Sequence, residues 1–188
     1  MMVPEKLRAM KRINEEFNEL RKNPLTTFGI TVGLPNKENM FEWNCTILGP
    51  RDSYYSGGIF YLKITFPENY PMKKPEIVFL TPIYHLNVVY STGKFQPLGH
   101  ICLSSLNDWR PEYTLKKILP EIFALFNKNN PDSSYDDFQN TRRIEFTYNR
   151  LLFEKKAKYF TKKYARPGVK IEEYPNGWDF TYDEISFF

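Results

Sequence analysis

Apolar residues recur at spacings of three and four near the start of the chain, at Leu7, Met10, Ile13, Phe17 and Leu20. This period predicts an amphipathic helix over 5–22, closed at Asn23-Pro24 because a residue preceding proline disfavours helical backbone. Its other face carries Lys6, Arg8, Lys11, Arg12 and Arg21 among glutamates. The period then drops toward two. Phe28–Leu34, Phe41–Leu48 and Ile59–Phe66 read as strands separated by turn-forming residues, and Glu76–Leu80 as a fourth after a proline-rich segment. The spacers are too short for helical crossovers, so the strands form an antiparallel meander. From 81 to 113 no period survives, and irregular stretches of that length usually carry function or move. Helical spacing returns over 114–127 through Leu115, Ile118, Leu119, Ile122, Leu125 and Phe126, with Thr114 or a neighbour as the cap and Pro120 as a mild objection. A loop then leads to a helical region over 135–164, read as two helices broken near Phe146–Asn149. The order helix, four strands, long loop, helix, loop, helices is an α+β arrangement.

Composition narrows the class. The chain has 188 residues, 41% of them apolar and 17% aromatic, enough for one folded domain with a tail. Residues 166–188 change character, with Pro and Gly breakers, aromatics and five acidic side chains against Arg166 and Lys170. The domain reading is therefore a body over 1–165 and an aromatic, acidic extension over 166–188. The basic body suggests an acidic protein partner rather than nucleic acid, for which no signature motif is present. The N-terminus has no secretory apolar region, and no run approaches the ~20 apolar residues of a membrane span. No membrane association is expected, and the expected location is the cytoplasm, the nucleus or both. Two cysteines in unlike surroundings give no disulfide framework.

Those two cysteines frame the chemistry. Cys45 falls in a strand and reads as a packing residue, since free cysteine is among the most buried residue types. Cys102 falls in the long irregular stretch, where it is either a buried hydrophobe or a nucleophile. A zinc site from His85, His100 and Cys102 needs an invented fourth ligand, and no CxxC or HxxxH pair exists, so no metal is expected. A cysteine protease needs a base positioned on the thiol, and no local signature of one is present.

The ordered landmarks around Cys102 carry a resemblance. They begin with the helix stretch Lys11-Arg12-Ile13-x-x-Glu16-x-x-x-Leu20, then Leu48-Gly49-Pro50, Tyr54-x-Ser56-Gly57-Gly58-x-Phe60 and Phe66-Pro67-x-x-Tyr70-Pro71-x-x-x-Pro75. Tyr84-His85-Leu86-Asn87, Gly99-x-Ile101-Cys102-Leu103, Trp109-x-Pro111, Asn130-Pro131-Asp132, Tyr148-Asn149-Arg150 and Lys163-Tyr164-Ala165 follow in order. Over about 5–165 the chain resembles a ubiquitin-conjugating enzyme. The resemblance implies that family's α+β fold, with an N-terminal helix, a four-stranded antiparallel meander, a central helix and C-terminal helices.

It also implies roles. Cys102 matches the nucleophile that carries ubiquitin or a ubiquitin-like modifier as a thioester. Asn87 matches the asparagine of the family's His-Pro-Asn motif, offering an amide donor toward the oxyanion formed on lysine attack. His85 matches a loop-bracing histidine, Tyr84 a ring packed beneath it, and Trp109 an anchor for the loop beside the site. Ser133 falls where many members have an acidic group that orients the incoming lysine; serine there lacks the charge unless phosphorylated, and Asp132 next to it, or Asp136, is the compensating alternative. Lys6, Lys11 and Arg12 resemble the activating-enzyme docking face, and Met72, Pro111 and Glu112 the ligase-docking loops. The implied partners are the modifier, an activating enzyme, a ubiquitin ligase and lysine-bearing protein substrates. No bound cofactor is implied, ATP being used by the activating enzyme. Two departures stand out: Leu86 replaces the motif's proline, and the step from Asn87 to Cys102 is lengthened. A non-catalytic binding module of the same fold, or an enzyme specific to a ubiquitin-like modifier, are the competing readings.

Overall fold

The computed structural model describes residues 4–89, 98–127 and 140–168. Helix α1 spans Pro4–Lys22 and buries Ala9, Ile13, Glu16 and Leu20. The face turned inward is thus rotated from the one the apolar spacing predicts. Leu7 is 53% exposed, and a glutamate takes an inward position. A short 3-10 turn, Thr26–Phe28, precedes β1 (Ile30–Gly33), so the first strand starts later than its β-branched and aromatic residues suggest. Strands β2 (Glu42–Leu48), β3 (Ile59–Thr65) and β4 (Glu76–Phe79) complete a sheet in the order β1-β2-β3-β4, every neighbouring pair antiparallel.

Register places one face of the sheet in the core. Trp43, Cys45 and Ile47 of β2 alternate inward with Phe60, Leu62 and Ile64 of β3, and all six are buried. Against this face lies α3 (Leu115–Leu125), burying Leu115, Ile118, Leu119 and Ile122 and running through Pro120. Rings fill the space between. Phe126 lies 5.0 Å from Phe60 and 5.3 Å from Tyr55, centre to centre, in tilted and edge-on contacts. Gly49 is a true close approach: a Cβ there would sit 1.8 Å from the Tyr55 carbonyl oxygen, so the turn after β2 tolerates no side chain.

A four-residue helix α2 (Ser104–Asn107) lies between the sheet and α3 in the chain. Helices α4 (Asn140–Tyr148) and α5 (Arg150–Tyr164) close the described chain. The break between them sits at Asn149, whose side-chain oxygen accepts from the Leu152 N–H at 3.3 Å and caps α5. At the far end of α5 the Ala165 carbonyl accepts from the Ile59 N–H at 2.7 Å, tying the helix to the start of β3. No helix among the described residues is long and apolar enough to cross a membrane.

Candidate active site

The stretch without sequence periodicity contains an ordered ladder. Beyond the edge of β4, Phe79 N–H donates to Gly99 O at 2.9 Å, and Val78 bridges His100. On the other side of the same short segment, Val88 bridges Ile101. There Gly99 N–H donates to Val89 O at 2.8 Å, Val89 N–H to His100 O at 2.9 Å and Cys102 N–H to Asn87 O at 2.7 Å. Residues 99–102 are thus held on both sides. Gly99 makes this approach possible, for its φ is +76° and a Cβ would lie 2.1 Å from the Phe79 carbonyl oxygen.

This ladder decides what the lengthened step does. Asn87 and Cys102 are fifteen residues apart yet adjacent, because the chain is closed between Val89 and Gly99. Residues 90–97 lie outside those described. The Asn87 side-chain Nδ2 faces the Cys102 carbonyl oxygen at 3.4 Å, a weak bond at that length. Its Oδ1 is buried with no hydrogen-bond partner among the described residues.

Cys102 is 3% exposed, and burial pushes its thiol up to about 11 against a small opposing pull from Lys74. Thiolate, not thiol, is the nucleophile. The sulfur therefore rests almost wholly protonated at neutral pH and needs a change in its surroundings to react. Iodoacetamide labelling of Cys102 is expected to be slow at pH 7 and to rise about tenfold per pH unit until near pH 11. A plateau below pH 9, followed by mass spectrometry of the modified peptide, would show a thiol with no such burial penalty. Cys45 is buried more deeply within β2, and burial raises its thiol to about 12.

His85 is a brace by its bonds. Its Nε2 lies 2.9 Å from Leu125 O, and its Nδ1 accepts from the Asn87 N–H at 2.9 Å, which fixes the tautomer with the proton on Nε2. Both ring nitrogens are engaged, leaving none for a metal or for the Cys102 thiol. Burial pushes its pKa down to about 4, so the ring stays neutral at physiological pH. The ring packed on His85 is Tyr55, at 5.4 Å, not Tyr84 as its place in the motif suggests. Tyr55 donates its hydroxyl to Tyr84 O at 2.9 Å, while the Tyr84 ring turns away toward Phe153 and Phe160 of α5. Tyr84 and His85 thus have different ring neighbours, with Tyr55 touching the backbone of one and the ring of the other.

Trp109 joins two loops. Its indole N–H donates to Pro71 O at 2.8 Å, and its ring sits between Tyr70 and Tyr113 at 6.0 and 5.9 Å. This bond brings Met72, 71% exposed, toward the loop holding the exposed Pro111 and Glu112. Of the cations expected on the α1 face, Lys11 stands free in solvent at 80% side-chain exposure with only a 4.0 Å ion pair to Glu15, and Lys6 pairs with Glu68. Arg12 is spent internally: it binds Glu16 at 2.7 Å and Tyr113 O at 2.9 Å. Asp132, Ser133 and most of the 166–188 extension lie outside the described residues.

Sequence reasoning missed the second layer around the site. Arg142 is 1% exposed, Lys156 4% and Glu145 9%, and together they pack against Tyr84 and the backbone before Asn87. A signal existed for one of them. Lys156 interrupts the buried α5 stripe Phe153, Ala157, Phe160 at helical spacing, where a charge has no reason to stand without a partner.

The N-terminal helix, the four-stranded meander on one helix and the C-terminal helices beyond the cysteine segment make this a domain of the ubiquitin-conjugating fold. A family model described as ubiquitin-conjugating enzyme matches residues 12–161, and the chain belongs to that family.

Proposed function

We propose that this chain carries ubiquitin, or a ubiquitin-like modifier, as a thioester on Cys102 and passes it to a lysine amine. The observation that carries the reading is the pairing of Cys102 with Asn87. A cysteine with a raised thiol and an asparagine amide are held together by the Cys102 N–H to Asn87 O bond at 2.7 Å. The modifier arrives as a thioester on the activating enzyme, which consumes ATP to make it. Cys102 thiolate attacks that carbonyl carbon, a new C–S bond forms, and the activating enzyme's sulfur departs as thiolate. The high resting pKa suits such a carrier: it reacts when a docked partner lowers the barrier to deprotonation and is protected between encounters.

Transfer reverses the roles. A lysine amine attacks the thioester carbonyl, and the negative charge gathers on its oxygen, where the Asn87 amide is a neutral donor. Collapse expels Cys102 thiolate and leaves an amide. In this reading Lys11, exposed on α1, and Lys6, which pairs with Glu68, meet an activating enzyme, and Met72 with the Pro111-Glu112 loop meets a ligase. Ser133 belongs in this reading at the position that orients lysine, where it needs phosphorylation to supply the charge, and Asp132 beside it is the carboxylate that compensates.

The test mixes the full chain with activating enzyme, ATP and ubiquitin, then compares non-reducing with reducing gels. A modifier-sized shift that thiol removes is expected. No shift with ubiquitin or any related modifier makes the chain a binding module of the same fold.

A further inference from the structure

Irregular backbone that is buried must find donors for its carbonyl groups. In the segment Ile83–Val88, Tyr84 O takes the Tyr55 hydroxyl and Asn87 O the Cys102 N–H, while the carbonyls of Ile83, His85 and Val88 face a single side chain contributed by α4. Arg142 Nη1 donates to His85 O at 2.9 Å and reaches Val88 O at 3.3 Å and Ile83 O at 3.5 Å. Its guanidinium carbon sits 4.2 Å from the centre of the Tyr84 ring. Tyr84 in turn donates its hydroxyl to Glu145 Oε2 at 2.5 Å, and the other Glu145 oxygen takes Lys156 Nζ at 2.5 Å. All three carbonyl contacts come from one nitrogen, which carries two hydrogens, so the 2.9 Å bond to His85 O is the principal one and the two longer contacts share the second hydrogen. The guanidinium plane also stacks on the Tyr84 ring, which an ammonium does not reproduce.

Buried ions contribute little net stability compared with apolar residues of similar volume, so stability alone is a weak reason for this cluster. Its placement is more telling. Two of the carbonyls it holds flank Asn87 in the chain, at His85 and Val88. Among the described residues the Asn87 side chain makes only one long bond, to Cys102 O. With Leu86 in the motif instead of a proline, no ring restrains the backbone φ at that position. External donors then have to hold the turn.

We propose that Arg142 is a positioning residue for lysine transfer, fixing the Ile83–Val88 backbone so that the Asn87 amide stands beside the Cys102 thioester. The proposal rests on the thioester reading above. In the transfer step the amine forms a C–N bond to the thioester carbon, and the carbonyl electron pair moves onto oxygen beside the Asn87 amide. The oxyanion then re-forms the carbonyl, the C–S bond breaks with its electron pair leaving on Cys102 Sγ, and the surplus ammonium proton passes to water. Arg142 touches none of these atoms. Displacing the donor by about an ångström slows such a step roughly a hundredfold.

The experiment charges the full-length wild type, Arg142→Met, Arg142→Lys, Asn87→Ala and the double variant with ubiquitin. It then follows single-turnover discharge onto free lysine at several lysine concentrations. Arg142→Met is expected to discharge between about tenfold and a hundredfold slower, with the loss in the limiting rate and not in half-saturation by lysine. Charging slows far less, Arg142→Lys falls between wild type and Met, and adding Arg142→Met to Asn87→Ala changes discharge little further. An equal slowing by Arg142→Met in both backgrounds overturns the proposal, as does a parallel fall of charging and discharge. Amide hydrogen exchange on the uncharged proteins separates this from the parent reading. Arg142→Met, or Arg142→Lys if the Met variant does not fold, should lose protection at the Cys102 and Val89 amides while β2 and β3 keep theirs. Undiminished protection there refutes the positioning role even if no thioester ever forms, whereas an uncharged wild type refutes only the carrier reading.

Discussion

Cys102→Ser is expected to remove the thiol-sensitive ubiquitin adduct entirely, while Cys45→Ser retains it. The serine hydroxyl sits far above the thiol in pKa and is a weak nucleophile without an adjacent base. His85 cannot serve as that base, because its two ring nitrogens are engaged by Leu125 O and the Asn87 N–H. Any adduct on the substituted hydroxyl would therefore form slowly and as an oxygen ester that survives thiol. Cys45 lies in β2 paired with Val32 and Leu62, within the sheet and away from the 99–102 segment. Its replacement by serine buries a hydroxyl and is expected to cost about 1–3 kcal/mol of stability without touching the chemistry. Paired gels with and without thiol read both variants. A thiol-sensitive band that persists in Cys102→Ser and vanishes in Cys45→Ser would assign the carrier role to the wrong sulfur.

Glu16→Ala is expected to produce a large loss of stability for a single polar side chain in the framework. The Glu16 carboxylate is 6% exposed and holds three elements together. One oxygen accepts from Arg12 at 2.7 Å and from the Tyr70 hydroxyl at 2.6 Å, and the other accepts the Leu115 N–H at 2.8 Å. That last bond caps α3. Thr114, the cap the sequence suggests, makes no side-chain bond there. Alanine leaves a buried hydroxyl and a helix N–H without their acceptor and strips Arg12 of its counter-ion. Arg12 keeps some water, which places the loss near the lower end for a broken buried pair, about 3 kcal/mol. For a chain of this size that is about 6–12 °C in Tm. Glu16→Gln retains one acceptor and should fall between the two. Thermal unfolding followed by circular dichroism measures all three, and a change in Glu16→Ala within experimental error would remove Glu16 from the framework.

These expectations differ in how much of them the sequence already contained. The meander was legible because strand periodicity and short spacers are local properties: Trp43, Cys45, Ile47 and Phe60, Leu62, Ile64 alternate within single segments. The direction of α1 was only half legible. Its helical spacing is real, but which side turns inward depends on the partners waiting there, and Glu16 faces inward because Tyr70 and Leu115 supply donors from distant positions. The ladder at Val78–His100 and Val88–Ile101 left no pattern to find. Four residues are too few to establish a period, and their pairing is set by Gly99 and by strands already in place.

The site divides along the same line. The identities of Cys102 and Asn87, and their place in an ordered set of landmarks, are properties of the sequence alone and sufficed to name the family. Their adjacency is a property of the tertiary structure, since closure at Val89 and Gly99 brings together residues fifteen positions apart. So is the raised Cys102 pKa, which arises from burial. So too is the Arg142, Glu145 and Lys156 cluster, whose charges are tolerable only because three separate segments converge on them. Composition and period report what a segment can do by itself; desolvation and hydrogen-bond satisfaction depend on neighbours that only folding supplies.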